Sequence, residues 1–176
     1  PDTETVHYLD DTYCVFDIET TGFSPKHNKI IEIGAVIIQK GQVVREFDEF
    51  VNPQEPIPYR IEKLTGITDQ MVLGADTISA VLPRFLEFSG DAVLVGHNVG
   101  FDCSFIEENA VKLGLPFDRI YADTMTLSRI LLPKLANHRL DRVAKELDVS
   151  LENHHRAVDD AAATAGIWVK LCDMLK

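Results

Sequence analysis

The sequence predicts an α/β domain built on a mixed five-stranded sheet. Three consecutive stretches near the start are rich in apolar and β-branched residues, as strands are, and a glycine-containing turn joins the second to the third. Later in the chain, short apolar runs alternate with helical patterns, which is typical of strands connected by helices. We therefore expect an antiparallel meander of three strands, followed by two parallel strands, with helices flanking the sheet.

The boundaries of the predicted elements follow from turn and helix-end signals. Proline residues at 53, 56 and 58 predict an extended link, and Gly114 predicts the end of a helix. The predicted strands are residues 12–18, 30–39, 43–51, 92–96 and 119–123, with a hairpin turn at 40–42. The predicted helices are residues 59–64, 77–88, 102–113, 124–131, 138–147 and 156–175.

Composition indicates the class of the protein and its cellular compartment. The chain has 176 residues, 45% of them hydrophobic and 26% charged, so we expect one domain spanning residues 1–176 with an ordered core from 11 to 175. The first residue is Pro1 rather than Met, which predicts a domain excised from a longer polypeptide. Cys14, Cys103 and Cys172 form no CxxC pair, which favours reduced thiols and a cytoplasmic protein. No apolar run approaches the roughly 18 residues of a membrane span, so no membrane partner is expected.

The net charge of −11 has the wrong sign for a protein that holds duplex nucleic acid by charge alone. A phosphate-binding surface must therefore be local. Residues 129–156 contain six basic residues and four acidic ones, namely Arg129, Lys134, Arg139, Arg142, Lys145 and Arg156 against Asp141, Glu146, Asp148 and Glu152. This stretch is either a solvated helix surface or a site for backbone phosphates.

An acidic pair, Asp17 and Glu19, ends the first predicted strand. Residues two apart in a strand project from the same face, and two carboxylates among apolar neighbours are costly unless a cation or solvent compensates them. The alternatives are a strand end that reaches water and a divalent cation site. Thr20, Thr21 and Gly22 follow, and we expect this turn to expose backbone N–H groups to phosphate or ribose oxygens.

Further acids lie later in the chain. Asp102 follows the fourth predicted strand and begins the next predicted helix, where it is either a helix N-cap or a ligand at the carboxyl end of the sheet. The last predicted helix carries His155 and Asp160 near its start. Its run of alanines allows the helix backbone to approach the sheet, so that this acid could meet Asp17 and Glu19.

Taken together, these motifs resemble the DnaQ-like exonucleases of the DEDDh type. The matching segments, in order, are residues 17–22, His97 and Asn98 with Asp102, and His155 five residues before Asp160, together with residues 64–68, 123–124 and 138–140. The resemblance covers nearly the whole chain and implies a ribonuclease-H-like fold. Longer stretches, residues 94–102 and 151–164, are most similar to exonuclease domains within the replicative DNA polymerases of low-GC Gram-positive bacteria.

The resemblance implies a site with two divalent cations, Mg²⁺ or Mn²⁺, which suit carboxylate ligands and phosphodiester hydrolysis. In the family pattern, Asp17, Glu19 and Asp160 bind the first cation, Asp17 bridges to the second, and Asp102 completes the site through water. His155 is the general base, since an imidazole titrates near neutral pH.

Spacing alone leaves one ambiguity, because His154 and Asp159 are separated by the same interval as His155 and Asp160. The family pattern has alanine two residues after the histidine and one after the aspartate. Ala157 and Ala161 therefore favour His155 and Asp160, and they leave surface roles to His154 and Asp159.

Substrate contacts are expected around the carboxylates. Thr20, Thr21 and Gly22 are expected to serve the ribose and 3′-hydroxyl. The segment Leu64, Thr65 and Ile67 is expected to wedge against the terminal base, with Phe101 as a stacking face, although each apolar residue has core packing as its alternative. His97 and Asn98 are expected to shape their loop or touch nucleic acid, and Glu32 to be hydrogen-bonded locally rather than catalytic.

The predicted function is 3′-to-5′ hydrolysis of DNA from its single-stranded 3′ end, releasing nucleoside monophosphates as proofreading for a replicative polymerase. Polymerase domains in the same chain or complex are the expected partners, and the isolated domain should bind DNA weakly and in a salt-sensitive way. The alternatives are an exoribonuclease of the same superfamily, acting on RNA ends, and a non-catalytic module that binds nucleic-acid ends.

Overall fold

A computed structural model describes residues 11–176 of the chain. Their strands form one five-stranded sheet in the order β3-β2-β1-β4-β5. The strands are β1 (Thr12–Thr20), β2 (Ile30–Gln39), β3 (Gln42–Phe50), β4 (Val93–Gly96) and β5 (Tyr121–Asp123). The helices are α1 (Tyr59–Thr65), α2 (Asp69–Leu73), α3 (Ile78–Ser89), α4 (Val99–Leu113), α5 (Thr124–Leu131), α6 (Leu140–Glu146) and α7 (Ala157–Met174). Among the described residues, no helix combines the length and apolarity required to cross a membrane.

The mixed sheet confirms the predicted fold class. β1, β2 and β3 pair antiparallel as a meander, whereas β4 pairs parallel to β1 and β5 parallel to β4. The turn between β2 and β3 has positive φ at both Lys40 (53°) and Gly41 (77°), the conformation that matches the twist of a two-residue hairpin. Gln42, predicted in this turn, is the first residue of β3.

Two helical predictions need correction. α2 was not predicted, because five residues carry too little periodicity; its local signal is Thr68, whose hydroxyl accepts a hydrogen bond from the Met71 N–H at 3.2 Å. α4 begins at Val99, three residues earlier than expected, and its N-cap position is occupied by Asn98 at φ 62°. Asp102 therefore neither begins nor caps the helix, and lies in its first turn instead.

Two layers of helices cover the two faces of the sheet. On one face, Phe16 and its even-numbered neighbours in β1 pack with residues of α3 and α4. On the other, Tyr13 and Val15 pack against α7, with the Tyr13 and Trp168 rings 5.2 Å apart. Because side chains alternate along a strand, Asp17 and Glu19 continue the row that faces α7. Asp17 and Glu19 thus form the polar end of a row of β1 side chains that begins with Tyr13 and Val15.

The start of α7 contacts β2 directly at Gly34. This glycine is the partner of Asp17 in the β1-β2 register, and a Cβ added to it would lie 2.2 Å from the backbone nitrogen of Val158. No larger residue fits unless the helix moves. The absent side chain therefore allows α7 to place Asp160 over the end of β1.

We predict that Gly34→Ala lowers the free energy of unfolding by about 1–3 kcal/mol, the usual cost of overpacking, because α7 must shift off the sheet. Gly74→Ala is the matched control, since nothing lies within 4 Å of a Cβ added there. Urea unfolding of both variants measures the difference. Equal stability of the two variants would contradict the close contact.

Candidate active site

Three of the four predicted metal ligands form one cluster. Carboxylate oxygens of Asp17, Glu19 and Asp160 all lie within 4.8 Å of one another. Asp17 and Glu19 come from the last residues of β1, and Asp160 from the first turn of α7. Asp159 belongs to no group of three such ligands within residues 11–176. The arrangement supports the choice of Asp160 over Asp159.

Asp102, the fourth predicted ligand, reaches the site from α4 on the opposite side of the sheet. It lies outside the 4.8 Å group, yet it is close enough that the charge of Asp17 raises its pKa. The side chain is 3% exposed, and its Oδ2 has no hydrogen-bond partner. A buried carboxylate oxygen without a partner is costly, and a cation or a cation-bound water would compensate it.

Burial makes these acids resist simultaneous ionisation. Burial raises the pKa of Glu19 to about 11, with the charges of Asp17 and Asp160 adding to the shift. Burial first, and the neighbouring carboxylates second, likewise hold the pKa of Asp17 and of Asp102 well above the ordinary range for aspartate. These carboxylates offer closely spaced anionic oxygen ligands, which fit hard divalent cations such as Mg²⁺ or Mn²⁺.

Both histidines of the loop before α7 lie beside Asp160. The His154 Nδ1 is 2.9 Å from the Asp160 Oδ1, and the His155 backbone N–H donates to both carboxylate oxygens, at 3.3 and 3.1 Å. The two imidazole rings stack with their centroids 3.8 Å apart. Burial and the neighbouring His154 lower the pKa of His155, which favours its neutral, proton-accepting form. The surface role expected for His154 is wrong, because its ring is engaged at the acidic cluster.

Glu32 holds the start of α7 in place. Its side chain is fully buried and accepts hydrogen bonds from the Arg156 Nε at 3.3 Å, the Arg156 Nη2 at 3.1 Å and the Ala157 backbone N–H at 2.9 Å. As expected, Glu32 is hydrogen-bonded. Its partners, however, lie more than 120 residues away in the chain, so the expectation of local partners was wrong. Sequence reasoning had no means to pair them, because only the fold brings β2 to this helix.

In the basic stretch 129–156, some side chains are paired with carboxylates and others are exposed to solvent. Arg156 is committed to Glu32, and Arg142 lies 3.4 Å from Glu146. Lys134 and Arg139 have exposed side chains. Arg139 also lies 4.0 Å from Asp141, and its side chain is 78% exposed. The contact with Glu32 favours a structural role for Arg156 over a phosphate contact.

An apolar cavity adjoins the carboxylates. It has a volume of about 320 Å³ and shares Glu19 and Thr20 with the site. Leu64, 53% exposed, and Phe101 line it as predicted for a base-binding wall. Sequence reasoning missed Phe23, 76% exposed, with the Arg60 guanidinium 5.8 Å from its ring centre. Its position directly after Gly22 was an available signal.

Several predicted substrate residues have structural partners instead. Ile67 is completely buried with Ile31 and Ile61, so its predicted role as a wedge is wrong, and core packing explains it. The Thr65 hydroxyl donates to the Ile61 carbonyl at 2.8 Å. The Thr21 backbone N–H, expected to be exposed to a ligand, donates to the Lys29 carbonyl at 2.8 Å.

Within the turn after β1, further internal bonds fix the chain. The Thr20 hydroxyl donates to the Gly22 carbonyl at 2.7 Å, and the Thr21 hydroxyl accepts from the Lys29 N–H at 2.9 Å. A Cβ added to Gly22 would lie 2.5 Å from the Asn28 Oδ1. These contacts set the shape of the turn beside the acidic pair.

His97 and Asn98 shape the loop after β4. The His97 Nε2 is 2.6 Å from the His138 backbone carbonyl, and its Nδ1 is 2.8 Å from the Thr124 hydroxyl. The Asn98 backbone N–H donates to the Asp123 Oδ1 at 2.7 Å. Both His97 ring nitrogens are thus occupied, in keeping with a loop-shaping role rather than a metal ligand.

Comparison with known proteins places this architecture in a family. The family model described as Exonuclease (RNase_T) matches residues 14–168, and the chain belongs to that family. Among curated relatives, it is 55% identical over 159 residues to a PolC-type DNA polymerase III of Clostridium perfringens, and 51% identical over 168 residues to that of Caldanaerobacter subterraneus. These alignments cover 90% and 96% of this chain but only 11% and 12% of those relatives.

Solved structures agree on the fold. A structure of Exonuclease X in complex with 5′ overhanging duplex DNA is 25% identical with a TM-score of 0.74, and the match covers 92% of each chain. The nuclease domain of 3′hExo, a DEDDh family member bound to rAMP, is 20% identical with a TM-score of 0.80, covering 93% of this chain and 92% of that one. The predicted ribonuclease-H-like fold and DnaQ-like family are confirmed.

We predict that Mn²⁺ raises the melting temperature more at about pH 8 than at about pH 5. The ordinary pKa of glutamate is 4.5, and the pKa of Glu19 in the folded protein is raised to about 11. At pH values between these two, the folded protein holds a proton on Glu19 that the unfolded chain releases. Without metal, this group therefore makes stability fall as pH rises through that window. A cation displaces the proton and removes the penalty. Melting curves with MnCl₂ and with EDTA at each pH measure the effect, and a larger shift at the lower pH would contradict it.

We predict that Arg156→Gln weakens Mn²⁺ binding by roughly 10- to 100-fold, as loss of a residue that orients a ligand does, and lowers stability by about 3 kcal/mol. The reason is that the buried Glu32 loses the positive charge of Arg156 and keeps only the Ala157 N–H, so the start of α7, with Asp160, is held less firmly. Electron paramagnetic resonance of free Mn²⁺ measures the affinity.

Arg84→Gln is the matched control for this variant. Arg84 also pairs with carboxylates, Glu49 at 2.6 Å and Asp76 at 2.8 Å, but it is 43% exposed and lies outside the acidic cluster. Arg84→Gln should lower the free energy of unfolding much less than Arg156→Gln does, because solvent screens an exposed ion pair, and it should leave Mn²⁺ affinity unchanged. If Arg156→Gln lowered stability alone, Glu32 and Arg156 would have no part in positioning Asp160.

Proposed function

We propose that this chain is a 3′-to-5′ exonuclease that releases nucleoside monophosphates from DNA ends and proofreads for a replicative polymerase. The observation that carries the proposal is the carboxylate cluster of Asp17, Glu19 and Asp160, with the partnerless oxygen of Asp102 beside it. The family match and the PolC-type relatives support the same reaction and setting.

In this proposal, Asp17, Glu19, Asp102 and Asp160 hold two divalent cations, Mg²⁺ or Mn²⁺. When bound, such cations make a water molecule acidic and neutralise charge on the phosphate and the leaving oxygen. His155 accepts the proton of the attacking water on a ring nitrogen. Its lowered pKa suits a base that is neutral at physiological pH.

The 3′-terminal nucleotide occupies the cavity beside Glu19. Leu64 and Phe101 contact its base, and the exposed ring of Phe23 offers a further stacking surface. Thr20, Thr21 and Gly22 form the adjoining turn and contribute its shape. Lys134 and Arg139 have exposed side chains that can reach backbone phosphates. A single-stranded end suits a cavity of this size, because each base must leave its stack to enter.

We further propose that residues 1–176 are one domain working beside polymerase domains of the same polypeptide in the bacterial cytoplasm. The PolC-type relatives, in which this region is about a tenth of the length, support that setting. With a net charge of −11, the domain alone should bind single-stranded DNA weakly and lose it as salt rises.

The test is digestion of a 5′-labelled DNA primer and its RNA counterpart with Mg²⁺ or with EDTA. We predict stepwise shortening of the DNA with Mg²⁺, no shortening with EDTA, and loss of activity by at least about 100-fold in Asp17→Ala, because a carboxylate of the proposed cation site is gone. Lys26→Ala, at an exposed residue outside the cluster, is the control.

The outcomes separate the alternatives. Faster shortening of RNA than of DNA would support the exoribonuclease. Binding of 3′ ends without release of nucleotides, with either cation, would support the non-catalytic module and overturn the proposed enzyme.

A further inference from the structure

A second group of three metal-binding side chains overlaps the carboxylate cluster. Ligand atoms of His154, His155 and Asp160 lie within 4.8 Å of one another. This group offers two imidazole nitrogens and one oxygen, whereas Asp17, Glu19 and Asp160 offer oxygen alone. Asp160 is the member that the two groups share.

Resting on the proposed function, we propose that His154, His155 and Asp160 form a second, overlapping site for Zn²⁺ or a similar borderline cation, and that its occupation inhibits the nuclease. Imidazole ligands suit Zn²⁺, whereas carboxylates and water suit Mg²⁺ and Mn²⁺. Two histidines and one carboxylate are also a known zinc ligand set, in which a fourth position remains open.

The geometry favours capture of a cation at this place. The His154 Nδ1 already points at the Asp160 Oδ1 from 2.9 Å, and the His155 ring stacks on that of His154. The His154 side chain is 32% exposed, so a cation can enter from solvent. The Asp160 side chain is 6% exposed and held by the His155 backbone N–H, so one ligand is fixed in advance.

Other zinc-binding side chains in residues 11–176 are less suited. The three cysteines are buried. His97 has both ring nitrogens hydrogen-bonded, and His138 has its Nδ1 3.0 Å from the Ser128 hydroxyl. His27 is exposed but belongs to no group of three ligands among the described residues.

Occupation of this site withdraws two catalytic groups at once. The cation takes a ring nitrogen of His155, the proposed base, and it binds an oxygen of Asp160. Excess Mg²⁺ should relieve the inhibition only in part, because it competes for Asp160 and not for the imidazoles.

The first experiment measures binding without activity. In the variant Asp17→Asn/Glu19→Gln, calorimetric titration with MnCl₂ should show no binding, while ZnCl₂ still binds one equivalent. Adding His154→Asn to this variant should weaken Zn²⁺ binding by more than the roughly 10- to 100-fold that outer-shell changes cost. His27→Asn in the same background should have no effect.

Visible absorption of bound Co²⁺ reports the same site, because a tetrahedral nitrogen-containing site absorbs strongly and octahedral oxygen sites absorb weakly. Loss of Zn²⁺ binding on removal of Asp17 and Glu19, or Zn²⁺ binding unaffected by His154→Asn, would overturn the proposal. Both readouts remain valid if the protein digests no DNA, so failure of the proposed function is distinguishable.

The second experiment measures inhibition. In His154→Asn alone, the Zn²⁺ concentration that halves the variant's own Mg²⁺-dependent rate of DNA digestion should be at least about tenfold higher than the concentration that halves the wild-type rate. Equal sensitivity of the two proteins to Zn²⁺ would overturn the inhibitory role. If His154→Asn digests no DNA, weaker Zn²⁺ binding in the first experiment still supports the zinc site, and unchanged Zn²⁺ binding overturns it.

Discussion

The attachment of the last helix to the second strand is the interaction on which the site depends. Glu32 binds Arg156 and the first N–H of α7, while Gly34 leaves space for the helix backbone. A carboxylate at the N-terminus of a helix is also favoured by the helix dipole. Without this contact, Asp160 would have no fixed position relative to β1, and the loop carrying both histidines would lose its anchor.

That attachment creates an electrostatic cost within the fold. It brings Asp160 to Asp17 and Glu19, and burial raises the pKa of each of these groups. The same concentration of negative charge is what binds a divalent cation. Stability and catalytic capacity therefore oppose each other here, as is common where buried groups of like charge serve a function. His154 reduces the cost at one oxygen of Asp160.

Much of the fold and part of the site were predictable, because their signals are local. The strands follow from apolar runs and a hairpin turn, and Asp17 and Glu19 share a face because strand side chains alternate. α2 was missed because a five-residue helix has almost no periodicity. The wedge role given to Ile67 failed because a wedge and a core residue have the same apolar character. Its burial depends on Ile31, which lies far away in the sequence in β2, and on Ile61, which lies in the preceding helix α1.

The sequence by itself determined the family, the alternation of elements and the acids that form the site, since these depend on residue type and on spacing along the chain. Only the tertiary structure decided that Glu32 pairs with Arg156, that His154 binds Asp160, and that Phe23 faces the cavity. The physical reason is distance. These contacts join residues from different elements, and no local pattern records which surfaces meet once the helices pack on the sheet.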